Sequence, residues 1–206
     1  MKFSRIFFLL IAASVLCAAD GGHDKEHQSQ NVDPLQQLID GNARYVAAQL
    51  HHPHQEPERR ITVAKKQYPF AIILTCADSR VAPEIVFDQG LGDLFVLRVA
   101  GNIVDDAVIG SIEYAAEHLG SSLIVVMGHE RCGAVDAAVK GGEVPGHIGS
   151  LVQAIHPAVV KAKGMSGDLL DNSVRSNVEM VAGELKAGKP ILAHLVEEGK
   201  LRVVGA

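Results

Sequence analysis

Two cysteines and a histidine are the residues of this sequence best suited to chemistry. Cys76 lies in the segment Cys76-Ala-Asp-Ser-Arg80, and His129 and Cys132 lie in His129-Glu-Arg-Cys132. Two thiolates and one imidazole form a soft-to-borderline donor set, which suits zinc better than magnesium or calcium. Three protein ligands leave the fourth tetrahedral position to water, the arrangement of a catalytic rather than a structural zinc. Taken one at a time, the cysteines read equally well as buried apolar thiols or as disulfide partners, and His129 as a hydrogen-bonded core histidine. Asp78 and Arg80, just past Cys76, favour the reactive site.

Zinc acidifies a bound water to a pKa of about 7, giving a nucleophile at neutral pH that attacks small electrophilic carbons or esters. Asp78 has two possible uses there: it accepts the hydrogen bond of that nucleophile, or it closes the fourth coordination position. Arg80 holds the carboxylate through paired hydrogen bonds and keeps it ionised. A plain ion pair at a strand end is the structural alternative for these two residues.

The surrounding pattern predicts how the ligands are positioned. Phe70–Thr75, Asp93–Ala100 and Ser122–Met127 are near-continuous apolar runs rich in β-formers, as expected of strands buried on both faces. Helical spacing follows at 83–88, 105–119, 131–140, 148–163 and 171–187, then a segment at 190–198 and a closing strand at Leu201–Val204. Strands alternating with helices predict an α/β fold, a mainly parallel sheet flanked by helices in a single domain over 33–206. Cys76 then leaves one strand at its carboxyl end, and His129 and Cys132 leave another after Gly128. Ligand groups gather at such ends, and the spacing of His129 and Cys132 puts both on one side of a first helical turn.

The amino-terminal third reads differently. Lys2 and Arg5 precede an apolar run, Ile6 to Leu16, that is short for a membrane span, and Cys17-Ala-Ala19 supplies small residues for cleavage. This predicts a secretory signal peptide over 1–19, a periplasmic mature protein, and no stable membrane anchor; acylation at Cys17 is the lipoprotein alternative. Export leaves Cys76 and Cys132 as the mature chain's pair of thiols. Residues 20–32 form a polar leader, and Asp33-Pro34 caps a helix to about Leu50. The following segment, His51-His-Pro-His-Gln-Glu-Pro-Glu-Arg-Arg60, reads as a solvated loop. A formal charge of −5 without a basic cluster argues against nucleic acid as a partner.

Cys-Ala-Asp-Ser-Arg followed about fifty residues later by His-Glu-Arg-Cys-Gly resembles the β-class carbonic anhydrases. The likeness extends through Leu97-Arg-Val-Ala-Gly-Asn-Ile-Val104, Gly110-Ser-Ile-Glu-Tyr114, Gly146-His-Ile-Gly-Ser150 and Asn172-Ser-Val-Arg-Ser-Asn-Val178. It implies that Cys76, His129 and Cys132 bind one zinc, that Asp78 and Arg80 form the catalytic pair, and that the reaction is reversible hydration of carbon dioxide to bicarbonate. It also implies that Gln67 hydrogen-bonds substrate, that Phe95 lines the carbon dioxide pocket, often from the neighbouring subunit, and that Gly133 offers its N–H to bicarbonate. Ile73 stands where the bicarbonate-inhibited branch carries tryptophan, which favours the open-site, plant-like branch. A homodimer or higher homo-oligomer is implied as well.

Two rivals remain at this level. A carbonyl sulfide or carbon disulfide hydrolase would use the same zinc scaffold. A periplasmic metal-binding protein would use the leader with His51, His52 and His54, but it leaves Asp78, Arg80 and Gln67 unexplained. A cysteine phosphatase is excluded, because too few residues separate Cys76 from Arg80 to cradle an anion.

Overall fold

In β1 (Ala71–Thr75) and β3 (Leu123–Met127) every residue is buried, so these two runs must lie at the centre of a sheet. A computed structural model describes residues 32–206, and in it the four strands are all parallel in the order β2-β1-β3-β4. β2 (Leu94–Arg98) and β4 (Arg202–Gly205) are the edges. The expectation of strands buried on both faces therefore fails for β2, which is only half-buried because one flank has no neighbouring strand. The expected signal peptide, 1–19, and nearly all of the expected polar leader, 20–32, lie outside the described residues.

Side chains alternate across the sheet and divide its core in two. Ile72, Leu74, Ile124 and Val126 pack against α4 (Asp106–His118), α7 (Leu169–Ala187) and α8 (Ile191–Glu197). Ala71, Ile73, Leu123, Val125 and Met127 face Leu38 of α1 (Pro34–Val46) and Phe87, just past α3 (Pro83–Val86). A third cluster caps the carboxyl ends of the strands. It joins Cys76 and Cys132 to Val135 and Ala138 of α5 (Gly133–Lys140) and to Ile155 and Val159 of α6 (Ile148–Ala162). Among the described residues, no helix is long and apolar enough to cross a membrane.

The segment after α1 departs from its sequence reading. The helix stops at Val46 rather than Leu50, and Asp33 makes no side-chain cap, pairing instead with Arg202 at 2.6 Å. A further helix, α2 (Pro57–Val63), occupies part of the expected loop. The histidine stretch is exposed, as expected of a solvated loop, but it is tethered at its backbone and at His54. Asp88, almost fully buried, accepts the backbone N–H groups of His51 and His52 at 3.0 Å each and pairs with Arg44 at 2.6 Å. Asp93, also buried, receives His54 Nδ1 at 2.7 Å and Arg59 at 3.2 Å.

Candidate metal centre

β1 and β3 end side by side, and their ends are tied together. Thr75 pairs with Met127 in register, and the Thr75 hydroxyl donates to the Met127 carbonyl at 3.0 Å in a fully buried bond. The next residues are Cys76 on one strand and Gly128 on the other. Gly128 must be small, because a Cβ there would come within 2.7 Å of Val178 on α7. His129 follows, then a turn through Arg131 with φ of 54°, and Cys132 sits at the N-cap of α5. His129 therefore stands before the helix, not on its first turn as the spacing suggested. The left-handed residue folds the turn back, and this brings the two ligands together.

The ligand atoms of Cys76, His129 and Cys132 all lie within 4.8 Å of one another. Both cysteines are free thiols with their sulfurs 3.9 Å apart, so the disulfide alternative is not what the structure shows. Two sulfurs about 2.3 Å from a shared tetrahedral zinc would stand about 3.8 Å apart. The histidine is oriented for the same purpose. Its Nδ1–H donates to the Glu130 carbonyl at 2.9 Å, which leaves the lone pair on Nε2; that nitrogen is buried and has no hydrogen-bond partner among the described residues. A carbonyl that fixes the tautomer of a ligating imidazole is what a metal site requires. The donor set, its spacing and the bare Nε2 fit zinc.

The electrostatics agree. The Cys132 thiol donates to Cys76 and burial opposes it, while the Gly101 N–H at 3.3 Å adds to the stabilisation; together they hold Cys76 as a thiolate, down at about 4. Cys132, carrying the shared proton, is pushed up by that same contact. Arg80 grips Asp78 with Nε on Oδ1 at 2.8 Å, a terminal nitrogen on Oδ2 at 2.7 Å and the backbone N–H on Oδ1 at 2.9 Å. These bonds hold the Asp78 carboxyl well below the usual carboxylate range. Asp78 Oδ2 lies 3.9 Å from His129 Nε2, at the margin of the three-ligand group. Arg98, at the end of β2, secures the loop between them, donating to the Cys76 carbonyl at 3.1 Å and the Asp78 carbonyl at 2.5 Å.

The remaining expected site residues are distributed differently. Gly133 is the first residue of α5, and a Cβ there would meet nothing within 4 Å, so tight packing does not explain the glycine. Gln67 is exposed and precedes the amino end of β1, whereas Cys76 leaves the carboxyl end. A five-residue strand separates those ends by about 17 Å. Phe95 pairs with Ile72 on the edge strand and packs with the α4 side of the core. Neither joins Cys76 within one chain. His51, His52 and His54 form no metal-ligand group among the described residues. Arg98, Gly101 and Asn177 were not singled out from the sequence; each lies inside a motif quoted above, but their contacts run between segments far apart in the chain.

Comparisons with known proteins agree with this geometry. A family model described as carbonic anhydrase matches residues 71–206. The carbonic anhydrase of Mycolicibacterium smegmatis is 43% identical over 172 residues, covering 82% of this chain and 84% of the relative. Carbonic anhydrase 2 of Mycobacterium tuberculosis is 42% identical, covering 82% and 83%. Among solved structures, the Coccomyxa β-carbonic anhydrase in complex with acetazolamide superposes with a TM-score of 0.63 at 28% identity, covering 84% of this chain and 78% of that one. The fold is shared as well with a tetrameric β-carbonic anhydrase of Sordaria macrospora, with a TM-score of 0.67 at 24% identity, covering 83% and 89%. The strand-end cluster of two cysteines and a histidine and the match over most of the chain lead to one conclusion: this chain belongs to the β class of carbonic anhydrases.

Proposed function

We propose that the chain catalyses reversible hydration of carbon dioxide to bicarbonate and a proton, with zinc held by Cys76, His129 and Cys132. The observation that carries this reading is the buried Nε2 of His129, without a hydrogen-bond partner among the described residues, beside two free cysteine sulfurs. Zinc bound there supplies an acidified water and a Lewis-acid centre. Asp78 stays ionised under Arg80, so it accepts a hydrogen bond and cannot donate one; it orients the attacking water toward the carbon of the substrate. Arg80 restrains Asp78 from swinging onto the metal, which supports the open-site branch. The Gly133 N–H, at the start of α5 with open space beside it, suits a bicarbonate oxygen. Hydration assays with metal analysis on the same sample test the assignment. Asp78→Ala is expected to keep its zinc and lose activity by about 10²-fold or more. Zinc loss as large as in a Cys76 variant would make Asp78 a resting ligand instead.

A second copy of the chain completes the pocket in this reading, because Gln67 and Phe95 cannot reach the metal of their own chain. The open flank of β2 and the exposed Ile61, Ile85 and Leu91 support association. Turnover per zinc should fall on dilution as sedimentation shows dimers separating. A fully active monomer would end the shared-pocket reading and leave the zinc chemistry intact.

The mature enzyme, by its amino-terminal pattern, is exported to the periplasm. A reporter fused to residues 1–19 should be secreted and trimmed near Ala19, and fatty-acid labelling at Cys17 would establish the lipoprotein form instead.

A further inference from the structure

Behind Cys76 lies a buried connection that the proposed catalysis does not use. After β2 the chain makes a single 3-10 turn, Ala100–Asn102, that folds back over the end of β1, with the Val99 N–H donating to the Thr75 carbonyl at 3.0 Å. In that turn Gly101 points its N–H at Cys76 Sγ, 3.3 Å away. Gly101 has φ of 74°, and a Cβ would come within 2.6 Å of Ile155, so both the backbone and the space demand glycine. The peptide that follows it is held at both ends. Its N–H, on Asn102, donates to the Val99 carbonyl at 2.8 Å, and its carbonyl, on Gly101, accepts from Asn177 Nδ2 at 2.8 Å.

Asn177 belongs to the middle of α7 and is completely buried. Its Oδ1 finds no hydrogen-bond partner among the described residues. For packing alone, an apolar side chain would serve this position better, because a half-satisfied buried amide is costly. The one bond it does make reaches across the sequence to the turn that touches a metal ligand.

We propose that Asn177 is a positioning residue for the metal centre: by gripping the Gly101 carbonyl from α7, it keeps the Gly101 N–H aimed at the Cys76 sulfur. That N–H occupies one lone pair of the thiolate, steers another toward the metal and withdraws some of the sulfur's charge. Outer contacts of this kind orient ligands and tune the metal they hold. The proposal rests on the zinc reading of Cys76, His129 and Cys132.

The test uses the full chain with zinc or cadmium-113. Asn177→Leu removes the amide and keeps the volume; Asn177→Asp keeps the shape and, measured at a pH high enough to ionise its carboxyl, lacks the donor. Both variants are expected to lose about 10- to 100-fold in zinc affinity by chelator competition, while the metal-free Asn177→Leu protein melts no lower than wild type. In the wild-type cadmium form, the Gly101 amide proton should show scalar coupling to the metal through sulfur, and the coupling should shrink in the variants. Zinc affinities within about twofold of wild type in the variants that fold would overturn the proposal, as would the absence of that coupling in the wild type. If Asn177→Leu fails to fold, the wild-type coupling and Asn177→Asp decide the matter. A wild-type chain that takes up no stoichiometric metal defeats the zinc reading and this proposal together. Tight metal with unaltered variants defeats this proposal alone.

Discussion

Replacing His129 with alanine will empty the metal site and abolish carbon dioxide hydration in the same preparation. The two effects arise together because, in the proposed zinc site, the imidazole is one of three donors and presents a lone pair already bared by the Glu130 carbonyl. The loss removes one of three donors, leaving two sulfurs 3.9 Å apart that share a proton and have no third partner at tetrahedral distance. Without the metal, water loses its acidification and is no longer a nucleophile at neutral pH, and turnover should fall by a factor on the order of 10³ or more. Cys76→Ser is expected to behave similarly, since a hydroxyl is a poor substitute for a thiolate at a soft site. Zinc content by elemental analysis and hydration by stopped-flow pH indicator measure both quantities. A variant at either position that keeps full zinc and full rate would place the active metal elsewhere.

Asp88→Asn is expected to be the most damaging change away from the metal, destabilising the fold by about 3 kcal/mol. Burial alone would raise the carboxyl of Asp88, but the His51 N–H, Arg44 and the His52 N–H outweigh it and hold the group down at about 2. An amide at the same place keeps the shape and the left-handed backbone, at φ of 47°, but presents a donor where three donors already converge. The corner is also closed from above: a Cβ on Gly41 of α1 would come within 1.8 Å of the Phe87 carbonyl, so α1 cannot shift to compensate. The expected shift in melting temperature is roughly 6–12 °C for a chain of this size. Its pH dependence has a definite sign. The native carboxyl is depressed, so its contribution is complete above the ordinary value of 3.8 and is lost as pH falls through about 2. The gap between wild type and variant should therefore narrow across that window. A constant gap, or none at neutral pH, would show that the charge of Asp88 is not what holds the segment.

Much of this architecture can be read from the chain because its central strands are extreme. β1 and β3 are short apolar runs closed by Cys76 and by Gly128, and burial on both faces makes such runs conspicuous. The ligands follow directly from those ends. What escaped the sequence reading had no local signature. α2 buries none of its residues, so it carries no apolar stripe to betray a helix between two prolines. α1 ends early because the next residues are drawn onto Asp88, a tertiary contact from a segment well downstream. The left-handed Arg131 that folds the His129–Cys132 turn is not a residue type that announces such a conformation. Asn177 and Gly101 are equally silent, since a hydrogen bond across so long a stretch of chain leaves no spacing to recognise.

The Thr75–Met127 tie also governs where the chain can change length. The separation of Cys76 from the His129–Cys132 turn depends on the register of β1 against β3, and the number of residues between them does not enter. One residue inserted within either strand would advance a ligand by about 3.3 Å and send the side chains beyond it to the opposite face. The same insertion at exposed Gly120, in the connection between α4 and β3 where even an added Cβ meets nothing, would lengthen a surface connection and leave the frame of the two strands untouched. Length variation in this fold should therefore collect in the crossovers, with the ligands drifting apart along the chain while they stay fixed in space.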